Sequence, residues 1–301
     1  MNDMSLKYRV FLETAQQKSL TRAAQKTGYT QSGISHILDA LEKDWGTTLL
    51  LRNKKGSVLT PEGEHLLPYV QAVLQAEELL REQVEALKGL EAGLIRIGSF
   101  SSVSQNLLPQ IIRAYQEQHP AINFEILHGT YADIEAWLSE DRIDLGFLRL
   151  PVKDAFDCKL FFEDEIFTIT PETYMAENDT YLSFAELEQN PFIMIDMKDS
   201  NDFSNYFKKH GITPEVRYTT HEDAVVMAMV ESHLGFSLAY GLALKRNPYR
   251  VAVWKLEKPA SRKIVTATRK GQHKTLAVES FLHFLEEHPL KESGDSARKT
   301  E

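Results

Sequence analysis

Ile34, Leu38 and Leu41 fall on one helical stripe within the stretch TQSGISHILDALE, while Gln31, Ser32, Ser35, His36 and Asp39 hold the other side. The spacing predicts a helix over residues 31–45, capped by the hydroxyl of Thr30. Tyr8, Val10, Phe11 and Ala15 predict an earlier helix over 6–17. Between them, TRAAQKTG predicts a short helix that Ser19 or Thr21 can cap. Gly28 ends it, because glycine takes the left-handed conformation at a helix C-terminus without strain. Two short helices joined through a glycine turn make a helix-turn-helix. Residues 49–51 and 57–59 then alternate as two short strands, with the basic loop Arg52-Asn53-Lys54-Lys55-Gly56 between them as a wing.

From Thr60-Pro61-Glu62, a hydroxyl, a proline and an early carboxylate signal the start of a long helix reaching about residue 88. Leu66, Val70, Val73, Glu77, Leu80, Val84 and Leu87 follow alternating 4-3 spacing, a narrow seam suited to pairing with another helix. Pro68 removes one backbone bond inside that helix, so a bend is expected there. Further on, strands at 94–100, 122–129 and 142–150 alternate with helices. The alternation repeats with strands at 165–171, 191–196, 215–220, 235–241 and 263–268, helices near 200–209 and 221–232, and a last helix over 274–287. A parallel sheet with helices on both faces is the expected architecture. It forms two halves, residues 90–163 with 263–290 and residues 164–262, joined by crossings near 162–165 and 253–263.

Charge sharpens this division. The chain of 301 residues carries a net −9, yet its first 60 residues hold nine Lys/Arg against five Asp/Glu, a net +4 that leaves −13 for the rest. A basic head on an acidic body implies that the head alone meets a polyanion. The polar face of residues 31–45 fits that partner. Gln, Ser and His side chains can exchange hydrogen bonds with base edges in a DNA major groove, where a row of Glu would repel phosphate. Basic residues in the wing would touch the phosphates and position the head without reading sequence.

The pattern Ala23-Ala24, Gln31-Ser32, Ser35, Leu41-Glu42, Gly46, Leu49, Arg52, Leu59-Thr60 and Gly63 resembles the DNA-binding domain of LysR-type transcriptional regulators. His36 stands where that family often has Arg, Trp45 for a usual Leu, Leu50 for a usual Phe and Glu62 for a usual Ala. His36 alters the groove surface, so the DNA sequence read does not carry over.

The resemblance implies an N-terminal winged helix-turn-helix over 1–60, a linker and dimerisation helix over 61–89, and an effector-binding α/β domain over 90–290. That domain would have two Rossmann-like subdomains resembling a type 2 periplasmic binding protein, and residues 291–301 would be a disordered tail. Thr30, Gln31, Ser32, Ser35, His36, Arg52, Lys54 and Lys55 are the candidate DNA contacts.

Ligands in such folds bind at the carboxyl ends of strands, beside helix N-termini. Ser101, Ser102, Thr130, Arg149, Asp199, Asn201, Phe203 and Phe236 are the candidate effector contacts. Hydroxyls and helix ends suit a small carboxylate, whereas the acidic run Asp196, Asp199 and Asp202 would favour the amino group of an amino acid. The implied partners are double-stranded DNA, a small-molecule effector, a second copy through the linker helix, a dimer or tetramer overall, and RNA polymerase.

Other chemistry is not signalled. There is no G-x-x-x-x-G-K, G-x-G-x-x-G, H-E-x-x-H or G-x-S-x-G motif, and the ten His residues do not cluster with Cys. An enzyme is not expected, nor a cofactor or a metal. Cys158 is the single cysteine, so no internal disulfide can form, and the cytoplasm is the expected compartment. No secretory signal and no run of about 18 apolar residues suggests export or a membrane. Two rivals share the body but not the whole pattern. A solute-binding module leaves the basic head unexplained, and an effector-independent DNA-binding protein leaves the cleft without use.

Overall fold

Local capping sets the first elements. In the computed structural model, which describes residues 3–53, 56–87, 93–195 and 202–288, the chain begins with helices α1 (Asp3–Gln17), α2 (Leu20–Thr27) and α3 (Gln31–Trp45). The Ser19 hydroxyl caps α2 by accepting from the Arg22 N–H, and Gly28 closes it at φ 75° with its own N–H on the Ala24 carbonyl. Thr30 caps α3 by accepting from the Gly33 N–H at 3.1 Å. Strands β1 (Leu50–Asn53) and β2 (Gly56–Leu59) form an antiparallel hairpin, and α4 (Pro61–Leu87) follows as one continuous helix with Pro68 inside it. Gly63 has a steric reason. A Cβ there would lie 2.2 Å from the Leu49 carbonyl oxygen, so α4 can start against the wing only without a side chain at that point.

Val10, Phe11, Ala24, Ile34, Leu38, Leu41 and Leu49 make the core of this first unit. Val70 is buried in that core too, and Leu66, Leu67 and Leu74 pack on it. The expected seam of α4 is therefore split. Leu66 and Val70 serve the head's own core. Tyr69, Val73, Leu80 and Val84, 63%, 52%, 66% and 41% exposed, form a stripe left largely open to solvent. Glu77, the one polar position of the seam, accepts from the Ser5 hydroxyl at 2.5 Å and pairs with Arg9. The Ser5 bond, helped by the Arg9 charge against a smaller penalty from burial, holds its carboxyl below the usual range.

A second unit runs through Glu91–Gln272 and Leu276–Glu301. Its first half contains β3 (Gly93–Ser99), α5 (Ser101–Asn106), α6 (Leu108–Gln116), β4 (Ile122–His128), α7 (Tyr131–Ser139) and β5 (Leu145–Arg149). Strand β6 (Phe156–Pro171) then crosses to the second half. There follow β7 (Tyr181–Leu182), α8 (Phe184–Gln189), β8 (Pro191–Ile195), α9 (Asp202–His210), β9 (Glu215–Thr220), α10 (Asp223–Glu231), β10 (Ser237–Tyr240), α11 (Gly241–Leu244) and β11 (Val251–Leu256). Strand β12 (Ser261–Arg269) returns to the first half, and α12 (Leu276–Glu287) ends the described chain.

The large sheet has the order β4-β3-β5-β12-β6-β11-β7, with β10 also on β6, and β8 pairs with β9 separately. Strands β3, β4 and β5, with β4 at the sheet edge, are parallel, as expected for a β–α–β order, whereas β12 runs antiparallel to both β5 and β6. Two apolar cores follow. One gathers Tyr115, Phe147, Phe281 and Leu108, and the other Ile169, Phe192, Phe207 and Val230. Strands β6 and β12 pair side by side from Phe156–Arg269 to Glu165–Ser261 and connect these cores. The helix expected after the first strand is two helices, α5 and α6, divided at Leu107. No helix among the described residues is long and apolar enough to cross a membrane.

Candidate functional site

On α3 the stripe Ile34, Leu38 and Leu41 is fully buried, which turns the opposite face outward. Thr30, Gln31, Ser32 and His36 are exposed, and Thr30 and Ser32 share a hydroxyl–hydroxyl bond of 3.2 Å. Ser35 is half-buried. Tyr29 also stands in solvent, just before the Thr30 cap, and carried no signal beyond being aromatic.

Arg52 departs from expectation. Rather than pointing free toward a phosphate, its Nη1 donates to the Ser35 hydroxyl at 2.9 Å and to Asp39 at 2.7 Å, and its Nη2 donates to Glu42 at 2.9 Å. The other oxygen of Glu42 accepts from the Leu49 and Leu50 N–H groups at 2.7 and 3.0 Å. Arg52 and Glu42 thus brace the wing against α3, and Arg52 neutralises Asp39, the one carboxylate on the outward face. Replacing Arg52 by alanine is expected to cost the head about 1–3 kcal/mol, since charged hydrogen bonds are lost and Glu42 is left half-buried. Thermal unfolding followed by fluorescence of a Trp137→Phe, Trp254→Phe background, where Trp45 is the one tryptophan left, checks this, and an unchanged head transition would remove the bracing role. Lys54 and Lys55 lie outside the described residues.

A second constellation sits where β6 and β12 cross between the two halves. Arg262 is enclosed, its side chain 2% exposed. Its Nε and Nη2 donate to one oxygen of Asp164, directly across the strand pair, at 2.9 and 2.6 Å. Nη1 reaches the Tyr131 hydroxyl at 3.1 Å and Nη2 the Ser102 hydroxyl at 2.8 Å. The guanidinium carbon lies 3.5 Å from the centroid of the Tyr240 ring and 5.0 Å from that of Phe100. Asp164 also accepts from the Leu242 N–H at 2.8 Å. Burial opposes the charge on Arg262, but Tyr131, Asp164 and Tyr240 outweigh it, so its pKa lies above the usual arginine value. Burial raises the phenols of Tyr131 and Tyr240 despite Arg262 beside them.

Beside this centre, Arg149 at the end of β5 pairs with Asp202 at the start of α9, Nη1 to Oδ1 at 2.5 Å. The Tyr240 hydroxyl donates to the other oxygen of Asp202 at 2.8 Å. Arg149 comes from the first half and Asp202 from the second, so the pair bridges the cleft between them. Asp223, at the start of α10, is half-buried, and its carboxylate meets no hydrogen-bond donor among the described residues; burial raises its pKa, against the pull of Arg262.

The expected effector residues distribute unevenly over this geometry. Ser102, Arg149 and Phe203 converge on the polar centre, Phe203 through its ring on Tyr240 at 5.0 Å. Ser101 is bonded to His128 at 2.9 Å. The Thr130 hydroxyl is already engaged in a capping box with Asp133 at the start of α7. Phe236 does not join the others. It is buried in the second core with its ring on Tyr174, and its backbone bonds Pro191 and Ile193 at 2.8 Å, so it is a packing residue. Asp199 and Asn201 lie outside the described residues. Arg262, Asp164, Tyr131 and Tyr240 were not anticipated, and Asp202 was expected only as part of the acidic run; Arg262 falls just before the strand expected over 263–268. Among the described residues, no cluster of His, Cys, Asp and Glu could hold a metal ion.

Comparison with known proteins covers both parts of the chain. Residues 7–64 match the family described as bacterial regulatory helix-turn-helix protein, lysR family, and residues 88–289 match the LysR substrate binding domain. A Bacillus subtilis helix-turn-helix transcriptional regulator, YvbU, is 25% identical over 282 residues, covering 93% of this chain and 96% of its own. Full-length CbnR complexed with its target DNA superposes with a TM-score of 0.66 at 19% identity, covering 95% of this chain and 99% of that one. Full-length OxyR C199D from Pseudomonas aeruginosa gives 0.73 at 19% identity, covering 98% and 99%.

Proposed function

The chain belongs to the LysR family of DNA-binding transcription regulators with an effector-binding domain, and from that premise we propose how its residues divide the work. Helix α3 enters the major groove, where Gln31, Ser32 and His36 meet base edges and Thr30 flanks them. Ser35 and Arg52 hold the wing to α3 so that Lys54 and Lys55 reach phosphates. The observation that carries this reading is the outward face of α3: small polar groups are exposed over a fully buried apolar stripe, and its one acid is neutralised by Arg52. On this reading Ser32→Ala and His36→Ala each lower discrimination between the preferred site and random DNA by about 1–3 kcal/mol. Lys54→Ala weakens every sequence alike and lowers the salt slope by about 1. Titrations of both DNAs at two salt concentrations check this, and equal losses for all three variants would refute the division.

The exposed stripe Tyr69, Val73, Leu80 and Val84 supports pairing of α4 with a second copy. Two heads would then read two half-sites about one helical turn apart. The effector enters the cleft between the halves, around Ser101, Ser102, Thr130, Arg149 and Phe203. It shifts the population between two closures by binding one better than the other. RNA polymerase is the partner that receives the change, and the cytoplasm, where the DNA lies, is the compartment.

A further inference from the structure

Arg149 uses only part of its guanidinium. Nη1 donates to Asp202 and, at 3.2 Å, to the Leu150 carbonyl. Nε is buried without any hydrogen-bond partner, and Nη2 donates to no described residue. Buried guanidinium donors are rarely left so. The idle edge is the one whose two parallel N–H groups match a carboxylate bidentately. Asp202 meanwhile makes only an end-on contact and is held from its other side by Tyr240. The Arg149 guanidinium also lies over the Tyr131 ring, 5.7 Å from its centroid, so the edge sits beside the Arg262 centre.

We propose that the effector carries a carboxylate that docks on the Nε–Nη2 edge of Arg149 and loosens the Arg149–Asp202 pair, which acts as a latch across the cleft until then. This rests on the effector-binding reading above and specifies its chemistry. A cationic effector is disfavoured by the same geometry. Asp164 and Asp202 already hold at least two donors each.

The test uses the full-length chain with acetate and phenylacetate as probes. Their amides serve as uncharged controls and ethylammonium as a cation, all at constant ionic strength. Thermal shift and calorimetry read binding, which raises the melting temperature by mass action. The carboxylates stabilise the protein and the amides do not. Asp202→Asn, which weakens the latch, tightens carboxylate binding at least fivefold. Arg149→Lys keeps the charge and the Asp202 pair, so the chain stays folded and binds DNA, but it loses the bidentate edge and weakens carboxylate binding at least tenfold. Equal binding to wild type and Arg149→Lys, or to acids and amides, would overturn the proposal. So would the absence of a carboxylate response in Asp202→Asn. A saturable response to ethylammonium alone would overturn the carboxylate class while leaving the effector reading standing. No response to any probe, with DNA binding intact, would count against both.

Discussion

Replacing Arg262 by methionine lowers the stability of the α/β unit by about 3–5 kcal/mol, because it strands a buried carboxylate. Asp164 would keep only the Leu242 N–H, and the hydroxyls of Ser102 and Tyr131 would lose the donor they accept from. The double variant Arg262→Met, Asp164→Leu recovers most of the loss. Removing both charges spares the desolvation of the pair, and the aromatic rings of Phe100 and Tyr240 that now face a guanidinium accept a thioether as well. Differential scanning calorimetry of the full chain separates the two units and reads the effect on the larger transition. If the single variant melts with wild type, or the double variant is as unstable as the single, the Arg262–Asp164 pair is not what joins the halves.

The second large effect concerns assembly. Leu80→Glu changes a side chain that touches neither core, so the folded monomer should keep its stability within about 0.5 kcal/mol. On the open stripe of α4, however, a carboxylate would have to be buried against its counterpart in the partner helix. The chain should become monomeric, and affinity for a two-half-site operator should fall about 10²–10³-fold as the second head loses its tether. Non-specific binding by each head would change little. Light scattering and titration of one-half-site and two-half-site DNA read both effects. An unchanged oligomer would assign the interface elsewhere.

What could be read from sequence was what is local. The caps Ser19 and Thr30, the stop at Gly28 and the Ile34–Leu38–Leu41 stripe each depend on residues within one or two turns, and all stand as expected. The roles of Arg52 and α4 needed the third dimension. Arg52 finds Ser35, Asp39 and Glu42 across 10 to 17 residues, a pairing that no periodicity announces. The 4-3 pattern of α4 superposes two apolar faces, one for the head's core and one left open, and a linear pattern cannot apportion them. Strand β6 was expected only from residue 165, because Lys159, Glu163 and Asp164 look like a loop. In the fold β12 lies alongside, and Arg262 offsets Asp164 where the strands are deepest. Phe236 illustrates the opposite error: it was expected at the cleft, whereas its ring packs on Tyr174 in the second core.

The central claim is that α3 reads a DNA sequence as one of a pair of heads. Selecting genomic fragments with the purified full-length protein at near-physiological salt tests it most directly. The account predicts enrichment of a partly palindromic site with half-sites about one helical turn apart, lost when Ser32 and His36 are both alanine. Enrichment no greater than for random fragments, with all binding vanishing on modest addition of salt, would mean that the head holds phosphates without reading bases and would contradict it.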